Sequence, residues 1–120
     1  MKKILIAEDE KPMAKALELK LSHAGFEVSL AFNGEEALKL AKETPYDLLL
    51  LDLMMPKIDG FTVLKEIQQS QSKLPVIVLS NLSQADDEQK ARALGARDFF
   101  VKSNTPLAEI VNHVNSVLGL

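Results

Sequence analysis

Asp52 closes an apolar run, Leu48-Leu49-Leu50-Leu51, and is followed by Leu53-Met54-Met55-Pro56 and then Asp59-Gly60. A carboxylate delivered by a buried segment into a loop bounded by Pro and Gly is costly to place, so it calls for a chemical reason. A second acidic cluster, Glu8-Asp9-Glu10, follows another apolar run, Ile4-Leu5-Ile6-Ala7. If the two runs are neighbouring strands, Glu8, Asp9 and Asp52 meet in one cleft, where like charges repel unless a cation sits between them. Such a set suits a hard divalent metal beside a reactive aspartate. Ser80 ends a further apolar run, Val76-Ile77-Val78-Leu79, and Lys102 follows Phe99-Phe100-Val101.

Each of these residues has a plainer reading. Glu8, Asp9 and Glu10 could be a helix-start acidic cluster, Asp52 a loop cap and Ser80 a strand-end hydroxyl. Lys102 could be a solvated charge and Phe99 simple core. Their joint occurrence at the ends of apolar runs is what favours chemistry. Glu10, Asp59, the Asp86-Asp87-Glu88 run and His113 read as solvated or capping residues.

Short apolar runs bounded by turn signals suit parallel strands covered on both faces, and open α/β sheets carry their sites at the carboxyl ends of such strands. Ile4 to Ala7, Phe26 to Ala31, Leu48 to Asp52, Val76 to Ser80 and Asp98 to Val101 read as strands. Helices fall between them. The first runs from Lys11 to Ala24, with Pro12 in its first turn, Met13, Leu17, Leu21 and Ala24 on one face, and Gly25 ending it. The second has Asn33 as N-cap and Glu36 at the capping-box position, and stops near Glu43. The third, from Phe61 to about Gln69, buries Phe61, Leu64 and Ile67, and a polar helix from about Gln84 to Ala93 follows. Thr105-Pro106 caps the last, whose apolar stripe is Leu107, Ile110, Val111, Val114 and Val117. Five βα units with short connections imply an α/β fold with helices on both faces of a parallel sheet.

Composition bounds the rest. At 120 residues, 47% hydrophobic and 26% charged, the chain reads as one globular domain over residues 1–120, without internal repeat or low-complexity segment. The net charge of -3 and the lack of a basic run argue against nucleic-acid binding. With Cys 0, thiolate chemistry and Cys-based zinc sites are excluded, and a cytoplasmic setting fits. Met1-Lys2-Lys3 precedes too short an apolar stretch for a signal peptide, and no segment approaches the ~20 apolar residues of a membrane span.

The acidic pair after the first strand, the Asp with Pro and Asp-Gly downstream, the Ser ending the fourth strand and the Lys after the fifth resemble one family over essentially the whole chain. That family is the response-regulator receiver domain of two-component signalling (CheY-like). The resemblance implies a flavodoxin-like (βα)5 fold with strand order 2-1-3-4-5. It implies that Asp52 accepts a phosphoryl group from the phosphohistidine of a sensor histidine kinase or phosphotransfer protein. The metal would be Mg²⁺, with Mn²⁺ as alternative, held by Asp9 and Asp52 carboxylates, the Met54 backbone carbonyl and, through water, Glu8. Lys102 would contact the acyl phosphate and Ser80 would hydrogen-bond it. Movement of Ser80 would let Phe99 rotate and repack the surface of the fourth helix, fifth strand and fifth helix toward a downstream effector.

The chemistry so implied is the chain's own phosphorylation and dephosphorylation rather than turnover of other substrates. The oligomeric state would be a monomer or a phosphorylation-dependent dimer. Met54 and Leu82 would flank the line of approach of hydrolytic water, and Asn81 stands where a small residue is usual. The family usually has Pro after this Lys; here Ser103 follows, so a trans Lys102–Ser103 bond is expected. Two other readings compete: a phosphorylation-independent interaction module, and a haloacid-dehalogenase-type phosphatase. The second needs another Asp two residues after the nucleophile, where Met54 stands.

Overall fold

Leu48, Leu49, Leu50 and Leu51 have no exposed surface. A strand with no solvent-facing side must lie between other strands and be covered on both faces. The computed structural model, which describes residues 1–70, 73–81 and 85–120, has it there. Along the chain run β1 (Lys3–Ala7), α1 (Lys11–His23), β2 (Glu27–Ala31), α2 (Gly34–Glu43), β3 (Leu48–Asp52) and α3 (Gly60–Ser70). β4 (Val76–Ser80), α4 (Ala85–Ala93), β5 (Asp98–Val101), a 3₁₀ turn (Lys102–Asn104) and α5 (Leu107–Val117) complete it. The strands form one parallel sheet in the order β2-β1-β3-β4-β5, the flavodoxin-like arrangement expected.

Side chains alternate along a strand, so each apolar run feeds two cores. Leu5, Ala7, Leu49, Leu51, Val76, Val78 and Phe99 pack with residues of α2, α3 and α4. Ile4, Ile6, Leu48, Leu50, Ile77 and Leu79 pack with Leu17 and Leu21 of α1 and Ile110 and Val114 of α5. Each fully buried aliphatic side chain contributes about 1.5–3 kcal/mol. The sheet's order reverses between β1 and β3, and the crevice at their carboxyl ends is where this class of sheet leaves room for a ligand.

The helices follow the expected signals with local differences. Asn33 Oδ1 accepts from the Glu36 N–H at 2.8 Å and caps α2. The buried stripe of α1 is Ala14, Leu17 and Leu21, while Ala24 is its exposed cap and Gly25 (φ 96°) turns the chain out. α3 buries Val63, Leu64 and Ile67, whereas Phe61 is only half-buried, under the Lys90 ammonium 4.3 Å from its ring centroid. The expected α4 start at Gln84 lies outside the described residues. Thr105 does not cap α5: Pro106 holds that place without a side-chain bond, and the Thr105 hydroxyl donates to the Val101 carbonyl at 3.0 Å. It closes the turn after β5 instead.

α4 is a polar helix in which Ala91 is the one fully buried residue among those described. Charge holds it. Asp98 Oδ1 accepts from Arg92 Nη2 at 3.4 Å and from the Phe99 N–H at 3.0 Å. Its Oδ2 lies 2.9 Å from Nδ1 of His113, whose ring meets Phe100 edge-on with centroids 4.5 Å apart. His113 is therefore a packed bridge rather than a solvated residue, and one carboxylate ties α4, β5 and α5 together. Asp98→Ala is expected to cost about 1–2 kcal/mol. It should lower the urea midpoint without changing the slope. An unchanged midpoint would show that water replaces those ties.

Candidate functional site

The cleft at the carboxyl end of β3 is about 320 Å³ and is lined by Asp9, Glu10, Asp52, Met54, Asn81 and Lys102. Asp52 ends β3 opposite Leu79, and its carboxylate is buried. Its Oδ1 accepts from the Met54 N–H at 3.1 Å, which fixes the first turn of the following loop. That loop returns to the strand through Gly60, whose N–H donates to the Leu53 carbonyl at 2.9 Å. A Cβ at Gly60 would stand 2.4 Å from Leu53 Cα and 2.5 Å from the Asp52 carbonyl oxygen, so the position requires glycine for space. Asp59 caps α3, its carboxylate accepting from the Thr62 N–H and hydroxyl at 3.1 Å each.

β1 delivers the second acidic group beside Asp52. Glu8 is buried and Asp9 exposed, and one carboxylate oxygen each from Glu8, Asp9 and Asp52 lie within 4.8 Å of one another. These are hard oxygen donors clustered closely enough to share one small divalent cation, so the residues present fit Mg²⁺. Lys102, from the turn after β5, reaches the same point. Its ammonium donates to Glu8 Oε1 at 2.5 Å, to Glu10 Oε1 at 3.1 Å and to Asp52 Oδ2 at 3.1 Å.

The electrostatics follow from burial. Removal from water pushes the Glu8 carboxyl up from 4.5 to about 7; the Lys102 hydrogen bond opposes this and the adjacent Asp52 reinforces it. Burial alone would lower Lys102, but the Glu8 hydrogen bond and the charges of Asp52 and Glu8 overcome it and hold the ammonium above its ordinary range. One ammonium cannot neutralise two buried carboxylates, so both directions stand together. Because folded Glu8 binds a proton more tightly than unfolded Glu8, its contribution is fully present below pH 4.5 and is lost as pH rises through about 7. Metal-free protein is expected to lose stability on the order of 3 kcal/mol over that window through Glu8. Urea unfolding across the range checks this. Glu8→Gln should flatten the slope, and a parallel slope in that variant would assign the effect to another group.

The expected residues largely converge. Asp9, Asp52, Met54 and Lys102 line the cleft, with Glu8 directly beneath. Ser80 ends β4 at the same sheet edge, fully buried and paired in register with Val101. Phe99 lies inside, 9% exposed, in the core cluster beside α2, α3 and α4. Leu82 lies outside the described residues. The Lys102–Ser103 bond is trans, as expected without a following proline. Glu10 was not expected here: it joins Lys102 although it occupies the N-cap position of α1, where its side chain makes no cap bond. Three consecutive acids hint at it, but spacing alone does not say which way a cap side chain turns. A larger hollow, about 640 Å³, lies between the ends of α2 and α3 and the start of β4, away from this chemistry.

The chain matches the response regulator receiver domain family over residues 4–115. It is 40% identical over 115 residues to the probable transcriptional regulator ycf27 of Cyanidium caldarium, covering 96% of this chain and 45% of that one. It is 36% identical over 117 residues to the alkaline phosphatase synthesis transcriptional regulatory protein PhoP of Bacillus subtilis, covering 98% of this chain and 48% of that one. The chain thus spans about half the length of these relatives. Among solved structures it resembles the Francisella response regulator 1452 receiver domain, with TM-score 0.94 and 31% identity over 99% of this chain and 98% of that one. It also resembles a chain of the CheX-CheY-BeF3-Mg complex of Borrelia burgdorferi, with TM-score 0.91 and 31% identity over 97% and 88% of the two chains. With that match running across all five strands and the acidic cleft, this chain belongs to the response regulator receiver domain family.

Proposed function

We propose that Asp52 is the phosphoacceptor of a Mg²⁺-dependent switch, charged by the phosphohistidine of a sensor histidine kinase or phosphotransfer protein. The observation carrying this is the convergence on one buried aspartate of two further carboxylates within 4.8 Å and an ammonium at 3.1 Å. An Asp52 oxygen attacks phosphorus in line, the P–N bond breaks, and the imidazole leaves, taking up a proton. Asp9 and Asp52, with Glu8 and the Met54 carbonyl, would hold the metal. Bound there, Mg²⁺ supplies charge neutralisation to the phosphoryl oxygens and to the acids. Lys102 would turn its ammonium to the phosphoryl group, and Ser80 would donate a hydrogen bond to it. Two similar solved structures, the BeF3-activated DrrB receiver domain and the CheX-CheY-BeF3-Mg complex of Borrelia burgdorferi, contain BeF3, the second together with Mg, which supports the reading.

The output would pass through α4, β5 and α5, with Phe99 and Ser80 as the switching pair and the added charge biasing one packing over another. The length of the relatives and their naming as transcriptional regulators support an effector beyond this domain. The test is intact mass after acetyl phosphate with and without Mg²⁺, followed by transfer from a phosphorylated histidine kinase. A single phosphoryl mass that requires Mg²⁺ is expected, and no gain under either donor would overturn the reading. Mg²⁺ should also raise the melting temperature, since binding only the folded form at a hundredfold excess over its Kd adds about 2.7 kcal/mol. Identical melts with Mg²⁺ and with chelator would remove the metal from the account.

A further inference from the structure

The three donors of the Lys102 ammonium are taken by three carboxylates, and these are not equivalent. Glu8 and Asp52 belong to the set that fits a cation. Glu10 does not. Its side chain is 59% exposed, yet it leaves the start of α1 uncapped and lies across the mouth of the cleft, 3.1 Å from Nζ. Its backbone N–H meanwhile donates to Glu8 Oε2 at 3.1 Å, so backbone and side chain of one residue brace both partners of the buried pair.

We propose that Glu10 is a positioning residue, the resting place of the Lys102 ammonium when a divalent cation takes Glu8 and Asp52. This rests on the metal and phosphoryl reading of the site. The cleft holds a cation of its own, the Lys102 ammonium, bonded to Glu8 and Asp52, two of the groups in the set that fits a metal. A metal ion drawing on Asp52 and, through water, on Glu8 competes with that ammonium for them. Turned free into a site of low dielectric it would have no acceptor and would stay where it is. Glu10 offers one outside the set that fits a cation, in the lining of the same cleft and already bonded to the ammonium. Lys102 then slides from three acids to one instead of being expelled, and remains poised to meet the phosphoryl oxygens. Glu10 thus lowers competition between the lysine and the metal for the same carboxylates.

The test is a double-mutant cycle on Mg²⁺ affinity, measured calorimetrically on the full chain with MgCl₂ alone as titrant. Glu10→Gln keeps the backbone N–H and the side-chain shape. In the parent background it should weaken Mg²⁺ binding by about two- to fivefold, the scale of a half-exposed ion pair. In a Lys102→Gln background the same change should leave Mg²⁺ affinity unaltered, because no ammonium needs parking. Equal weakening in both backgrounds would mean that Glu10 acts by its own charge on the metal, and would overturn the proposal, as would no weakening in the parent.

A second measurement covers failure of the Lys102 variant to fold. With ¹⁵N-lysine labelling, the Lys102 ammonium signal should survive saturation with Mg²⁺ in the parent and be lost to fast exchange in Glu10→Gln. Survival in both, or loss in both, would overturn the proposal. A parent that shows no saturable Mg²⁺ binding at all would bring down the metal reading itself, a result distinct from either.

Discussion

Asp52→Asn is expected to abolish phosphoryl uptake completely while leaving the fold intact. The amide oxygen is not a competent nucleophile, yet the Asn side chain keeps the shape of Asp and can still accept from the Met54 N–H that Asp52 Oδ1 holds at 3.1 Å. Lys102 pairs with Glu8, Glu10 and Asp52, and Asp9 lines the same cleft, so acids outnumber the ammonium and losing one charge does not strand it. The variant should therefore be at least as stable as the parent without metal. Because Asp52 is one of the groups that pushes Glu8 up, its removal should also shrink the fall in stability between pH 4.5 and about 7. Intact mass after acetyl phosphate reads the first expectation, and urea unfolding at both ends of the pH range reads the second. A variant that still gains a phosphoryl mass would move the acceptor elsewhere, with Ser80 the first candidate.

The second large effect lies in a residue with no side chain. Gly60→Ala should destabilise the domain by on the order of 3 kcal/mol, because the new methyl meets backbone on two sides and backbone cannot rotate away. The contacts are 2.4 Å to Leu53 Cα and 2.5 Å to the Asp52 carbonyl. In a domain of this size the melting temperature should fall by on the order of 10 °C. The same crowding would shift the strand end that carries Asp52, so under the proposed function phosphoryl uptake should slow as well. Gly34 is a matched case, since a Cβ there would stand 2.0 Å from the Ile58 carbonyl oxygen. A Gly60→Ala protein melting within a degree or two of the parent would show that the start of α3 relaxes outward without cost.

The fold was legible because its strands are written as apolar runs with single purposes. Leu48 to Leu51 suits a strand covered on both faces, and Asn33, Gly25 and Pro12 mark helix ends by local chemistry that tertiary packing did not override. The convergence of the candidate site was legible because each of its polar groups ends or follows such a run, and parallel strands bring their carboxyl ends to one edge. What stayed hidden depends on the direction of single side chains. Glu10 could turn to the helix or to the cleft, and only the position of Lys102, far away in sequence, decides. Thr105 stands where a helix cap is expected, but its hydroxyl donates back to the Val101 carbonyl. Phe61 sits on an apolar stripe, but it lies at the rim with the Lys90 ammonium of α4 over its ring. The His113 and Asp98 pair has no sequence signal, because neither spacing nor residue type distinguishes a bridge from two solvated charges.

The polar character of α4 has a consequence in the hierarchy of openings that precede global unfolding. Apart from Ala91, the described residues of this helix give up little apolar surface when it lifts from the sheet, and its ties to Asp98 and Phe61 are few and lie at the surface. Its amide protons should therefore exchange with solvent through a local opening, while those of β3 exchange only when the whole domain unfolds. A partner that prefers a displaced α4 needs to supply only that small difference to shift the population, a demand an ordinary interface meets. Under the proposed function, the sheet would hold Asp52 rigid while the polar helix α4 would be free to carry the output.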